Sequence, residues 1–169
     1  MSYISIKEIE QGLAPIEINS YTLETVVDEI VARYSGSLDK YVAFIADCLK
    51  DGENPPTDAE LDDFVLNLAV YIYNVGSKGE LLGIRDDISR AVYREAYNTS
   101  RSNQTSGTIA DKDSAAEMAS QKEAMISLCY SRAYKIIKSK IENAQELLSS
   151  VKKVLTRRIQ EYQVTNAVN

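Results

Sequence analysis

Arg90, Arg94, Tyr97 and Arg101 follow one another at steps of four, three and four residues. That repeat draws one stripe along an α-helix, and Tyr93 stands beside it. A guanidinium pairs with phosphate in a planar, two-pronged geometry and also stacks on flat rings. A tyrosine offers a base-stacking face worth about 1–3 kcal/mol per base. These are the residue types that hold a single strand of nucleic acid without reading its sequence. The same stripe also suits a solvated helix face whose tyrosines cover the edge of a core. A second basic set lies further along: Arg132, Lys135 and Lys138 recur every three residues, flanked by Tyr130 and Tyr134, and Lys152, Lys153, Arg157 and Arg158 form another group. Positions beside an apolar seam are commonly charged for solubility or for pairing with acidic partners. Against that reading, both groups are almost free of acidic neighbours one turn away, where a solvated helix normally mixes its charges.

Other chemistry finds little to work with. There is no histidine, which removes the commonest general base, most catalytic triads and most zinc sites. Asp62-Asp63 and Asp86-Asp87 are adjacent pairs. Neighbours on a helix point about 100° apart, so neither pair offers two carboxylates to one metal. No second cluster matches the dense run Asp58, Glu60, Asp62, Asp63, which disfavours a helical metal-dependent nucleotide hydrolase. "GSKGE" (76–80) lacks the spacing and the following Ser/Thr of a phosphate-binding loop. The expectation is a non-enzyme with no catalytic residues, no metal and no cofactor. Cys48 and Cys129 sit inside apolar helical patterns and read as buried thiols in a reducing compartment. The first residues, "MSYISIKEIEQG", have neither the basic start nor the apolar core of a secretory signal. No apolar run approaches the roughly 18 residues of a membrane span. A cytoplasmic protein without a membrane partner is expected.

The elements that must position the basic stripes are helices. The 169 residues include only three prolines and seven glycines, with 44% hydrophobic and 26% charged residues. Charge is uneven. Residues 1–66 hold four Lys/Arg and fourteen Asp/Glu, net −10, whereas residues 67–169 hold fifteen and eleven, net +4. The periodicity predicts a short helix over 5–13, broken by Gly12 and Pro15. Two helices follow, ended by Gly36 and Gly52, forming an acidic hairpin within residues 1–53. "ENPPT" marks the expected boundary to a helical core, 57–169. Thr57-x-x-Glu60 is a capping box opening the next helix. A hinge is expected at Gly76 and Gly79, where Ser77-x-x-Glu80 offers a second cap. The helix beyond has Leu81, Ile84, Ile88 and Ala91/Val92 as its apolar face. After the polar loop "SNQTSGT", Ser114-x-x-Glu117 is the expected cap of a last helix running to about Tyr162. A helix of some 45 residues is about 65 Å long, so it must kink, protrude or pack on another chain. Ile137, Ile141, Ala144, Leu148, Val151 and Leu155 alternate steps of four and three, a coiled-coil-like seam. Ile137, Ile141, Leu148, Val151 and Leu155 are accordingly the expected homo-oligomerisation residues. The fold class is all-α: a helical hairpin plus an elongated helical core with a long C-terminal helix.

The order of these features resembles the bacteriophage recombination mediators of the UvsY type. A helix carrying "LAVYIYN" leads through small residues to a basic helix ending in tyrosine, then to a polar loop, "ADKD" (110–113), and a long helix reaching "IKS" (137–139). The resemblance spans roughly residues 66–145. It implies a small helical protein that binds single-stranded DNA, forms rings, and helps load a recombinase onto DNA covered by single-strand-binding protein. It also implies that Arg90 and Arg94, preceding Tyr97, contact DNA. This chain departs from the pattern in being longer at both ends, in its acidic total, and in carrying Asp86, Asp87 and Glu95 on the arginine helix. The alternative that the residues leave open is a helical oligomeric scaffold or adaptor, phage structural or host-interacting, that binds proteins only.

Overall fold

The computed structural model describes residues 20–168. Over that span the chain is all-α. Helix α1 runs Ser20–Lys50, α2 Asp58–Asn103, α3 Ile109–Ala119 and α4 Gln121–Val168, with no strand among the described residues. The short helix expected over 5–13 lies outside them. No described helix is long and apolar enough to cross a membrane.

The capping box at the start of α2 forms. The Thr57 amide donates to Glu60 Oε2 at 2.7 Å, and the Glu60 amide donates to Thr57 Oγ1 at 3.3 Å. The backbone bond from Thr57, followed by the hydroxyl bond, holds the Glu60 carboxyl below its ordinary range. The same device opens α3, where Thr108 and Asp111 cap each other. It replaces the cap expected at Ser114. Gly107, just before it, has φ of 100° and is the one described residue in left-handed backbone, a conformation suited to glycine. The long last helix is interrupted at Ser120. Its amide and hydroxyl both donate to the Ala116 carbonyl, and its own carbonyl accepts from Ala124, so α3 gives way to α4 without a loop.

The acidic hairpin is not formed: residues 20–50 are one helix passing through Gly36 without a turn. The reason lies in the phase of the apolar residues. Val27, Ile30, Val31, Tyr34, Leu38 and Ile45 are all buried on one continuous stripe. A turn at Gly36 would forfeit that burial, whereas a mid-helix glycine costs only about 1 kcal/mol against alanine. Ser35 is satisfied locally, its hydroxyl donating to Asp39 Oδ2 at 3.0 Å. Likewise α2 continues through Gly76 and Gly79, and Ser77 bonds back to the Tyr73 carbonyl in place of capping a new helix. A methyl added at Gly36 meets nothing within 4 Å. Gly36→Ala is therefore expected to raise stability by roughly 0.5–1 kcal/mol, read as a higher urea midpoint. A glycine ending a helix in left-handed backbone would give the opposite sign.

Two compact units divide the described residues, and neither follows the boundary expected at "ENPPT". One comprises residues 34–78 and 137–168, the other residues 20–33 and 79–136. In the former, the ion pairs Lys140–Asp39 (2.7 Å) and Arg158–Asp58 (3.3 Å) set α4 parallel to α1, with α2 antiparallel to both. Its core includes Leu38, Ile45, Leu61, Phe64, Leu68, Val75, Ile137, Ala144 and Val151. This corrects the oligomerisation assignment. Ile137 and Val151 are each 1% exposed, and Ile141, Leu148 and Leu155 are half-buried. The seam is thus filled by the chain's own helices, because α1 and the first half of α2 supply the apolar surface that a second chain would have supplied.

The other unit buries Val27, Ile30, Leu82, Ala116, Ile126, Cys129, Tyr130 and Ala133. Here α2 and α4 approach closely: a Cβ at Gly83 would lie 3.2 Å from the Tyr134 ring. The face of α2 expected to be apolar and inward points outward. Leu81, Ile84, Ile88 and Val92 are 45%, 56%, 49% and 44% exposed, while Leu82, Asp86 and Ser89 face the core. The inward polar residues are satisfied, Ser89 donating to the Asp86 carbonyl at 2.8 Å and Asp86 receiving Arg90, so their burial carries little penalty.

Candidate nucleic-acid interface

The arginine stripe of α2 is only partly available for a ligand. Arg90 grips Asp86 with two prongs, Nε to Oδ1 at 3.0 Å and Nη2 to Oδ2 at 2.7 Å. Asp86 is 3% exposed. Its hydrogen bond and charge raise the Arg90 pKa further. The same Nη2 donates to Ser131 Oγ on α4 at 3.0 Å. Arg101 pairs with Asp113 on α3 at 2.6 Å, and the Tyr97 hydroxyl donates to the same carboxylate oxygen at 3.3 Å. Burial, then the Asp113 charge, raises the Tyr97 pKa. The Tyr93 and Tyr97 rings lie 6.4 Å apart at 55°, tilted towards each other and not open as a parallel stacking pair. Two of the three arginines therefore bind the protein to itself, which lowers the local positive field that a phosphate would meet.

Exposed cations without carboxylate partners lie elsewhere. Arg94, Arg132 and Lys135 are exposed and make no ion pair among the described residues. Lys138, in the other unit, is likewise exposed. Ile126, Cys129, Tyr130 and Ala133 are the inward face of α4, which turns Arg132 and Lys135 outward. From residue 124 to residue 141 the sequence holds Arg132, Lys135, Lys138 and Lys140 and no acidic residue. The Arg90–Ser131 bond sets α2 beside α4 at this level. Arg94 is one turn along α2 from Arg90, and Arg132 directly follows Ser131. The third basic group is divided. Lys152 and Lys153 are exposed, whereas Arg157 pairs with Glu161 at 2.9 Å and Arg158 donates to the Pro56 carbonyl at 2.6 Å and to Asp58.

Asp86, Asp113 and Ser131 are the partners that sequence reasoning missed. The i, i+4 spacing of Asp86 and Arg90 was a visible signal; Asp113 and Ser131 gave none, being distant in sequence. No group of three or more Cys, Asp or Glu among the described residues could hold a metal. Burial pushes the Cys129 thiol up to about 11, which keeps it protonated and unreactive. No family model, no curated protein and no solved structure matches the chain.

Proposed function

We propose that the protein is a non-enzymatic, phage-type accessory protein of recombination or replication that binds single-stranded DNA and helps load a recombinase. The observation that carries this reading is the outward, acid-free face of α4, where Arg132 and Lys135 are exposed, as is Arg94 on α2, and none of the three makes an ion pair among the described residues. The order of elements that resembles the UvsY-type mediators supports it. Phosphates are held by Arg94, Arg132 and Lys135. Arg90, Arg101 and Tyr97 act mainly by holding α2 against α3 and α4. Each copy binds weakly, and self-association supplies the avidity. The partners are single-stranded DNA, a recombinase or single-strand-binding protein, and further copies of the chain.

Fluorescence anisotropy with a labelled oligothymidine tests this. Three phosphate contacts predict a log–log salt slope of about −2, at roughly −0.7 per contact for single strands. At about 50 mM salt the triple variant Arg94→Ala/Arg132→Ala/Lys135→Ala is expected to lose at least about tenfold in affinity and most of that slope. Equal binding by both proteins removes the assignment, and no binding by the wild type removes the function. The second reading, a scaffold that binds proteins only, is favoured by the exposed apolar stripe Leu81, Ile84, Ile88, Val92. It is the outcome if the wild type self-associates but ignores the oligonucleotide.

A further inference from the structure

Where α1 turns into α2, the unit of residues 34–78 and 137–168 opens a cleft of about 380 Å³. Tyr41, Phe44 and Phe64 form its wall, Asp51, Glu60 and Asp63 stand around them, and no Lys or Arg lines it. Phe44 is 52% exposed, unusual for a phenylalanine so well held. Its ring meets Phe64 edge-on at 5.8 Å and 84°, and lies 6.0 Å from Tyr41, which in turn packs on Tyr71 at 4.8 Å. The aromatic faces are therefore fixed before any ligand arrives. The carboxylates retain accepting capacity. Asp51 uses Oδ1 for the amides of Glu53 and Asn54, and Glu60 uses Oε2 for Thr57. Their second oxygens, and both oxygens of Asp63, accept no hydrogen bond among the described residues. Residues 34–78 hold eight Asp/Glu against three Lys/Arg, residues 137–168 of the same unit hold three against six, and Arg158 is occupied by the Pro56 carbonyl and Asp58, so the attraction for a cation is local to the three carboxylates around the cleft.

We propose that this cleft takes an arginine side chain from a segment of a protein partner. The chemistry selects the group. A guanidinium is flat enough to lie against a phenyl face, is weakly hydrated, and presents paired donors to a carboxylate. A lysine ammonium keeps its water and makes only point contacts, and an anionic group inside the cleft would meet Asp51, Glu60 and Asp63. Phe44 provides the stacking face, and Asp63 and Glu60 receive the donors. The inference is independent of the nucleic-acid reading, since it uses neither its residues nor its ligand.

The test uses the full chain, isotope-labelled, titrated with the peptide acetyl-Ser-Leu-Arg-Ser-amide and followed by amide chemical shifts. Shifts concentrated at Phe44, Asp63 and Phe64 are expected. The citrulline version, isosteric but uncharged, is expected to bind at least fivefold more weakly. So are the variants Phe44→Leu, which keeps apolar bulk but loses the ring, and Asp63→Asn, a surface change that leaves packing intact. Oligothymidine affinity is expected to be the same in both variants as in the wild type, so failure of DNA binding and failure of this site are separate results. Equal shifts from the citrulline peptide, undiminished binding by Asp63→Asn, or shifts scattered away from the cleft overturn the proposal.

Discussion

Aspartate in place of both Ile84 and Ile88 is expected to yield a folded monomer from a protein proposed here to self-associate. Both side chains are about half exposed within the chain, so folding loses little by the exchange. Leu81, Ile84, Ile88 and Ala91 follow the three-and-four spacing of a two-helix seam. A carboxylate forced into an apolar contact costs several kcal/mol unless it is paired, and the double variant places four of them in one interface. Self-association is expected to weaken by about three orders of magnitude or more. Sedimentation equilibrium at tens of micromolar reads it directly. Oligothymidine affinity should fall along with it, through lost avidity alone. A wild type that sediments as a monomer removes the second copy from the mechanism.

The other large effect falls on stability, at a residue whose position suggests binding. Arg90→Met is expected to destabilise the fold, raising the unfolding constant about tenfold or more. The substitution strips the two-pronged partner from Asp86, whose side chain is 5% exposed beneath an Arg90 side chain that is 46% exposed. Asp86→Leu/Arg90→Met is expected to recover most of the loss. Replacing both members of such a pair with apolar groups removes the uncompensated charge together with its desolvation cost. Urea unfolding of the four proteins in this cycle gives the coupling. If Arg90→Met unfolds at the wild-type midpoint, Asp86 is hydrated and the pair is a surface contact.

These two residues show where the sequence was legible. The all-α class, the Thr57–Glu60 cap and the apolar character of α2 follow from period and spacing, which are local properties. The side of α2 that turns inward does not. The helix carries Leu81, Ile84, Ile88 and Val92 on one side and Leu61, Phe64, Leu68, Val75 and Leu82 on another. With two apolar faces, periodicity over residues 81–92 selected the more apolar one. The fold uses the other, since Gly83 admits Tyr134 there and Arg90 neutralises Asp86. Gly36 misled for a related reason. A helix-ending glycine and a helix-interior glycine look alike until the burial of Tyr34 and Leu38 on either side is counted. For the candidate interface, exposure of Arg132 and Lys135 was foreseeable from the apolar residues that turn α4. The capture of Arg101 by Asp113 was not, since it depends on where α3 comes to rest.

The placement of the two thiols turns the molecule into its own stopwatch. Cys129 is fully buried in the unit of residues 20–33 and 79–136, with its proton held until about pH 11, and Cys48 is half-buried in the other unit. A disulfide reagent at neutral pH will reach Cys48 promptly and Cys129 only during rare openings of the helices around it. The delay between the first and second labelling events therefore times those openings in the intact chain. Bound oligothymidine should lengthen it if the ligand clamps α2 to α4 across Arg94 and Arg132.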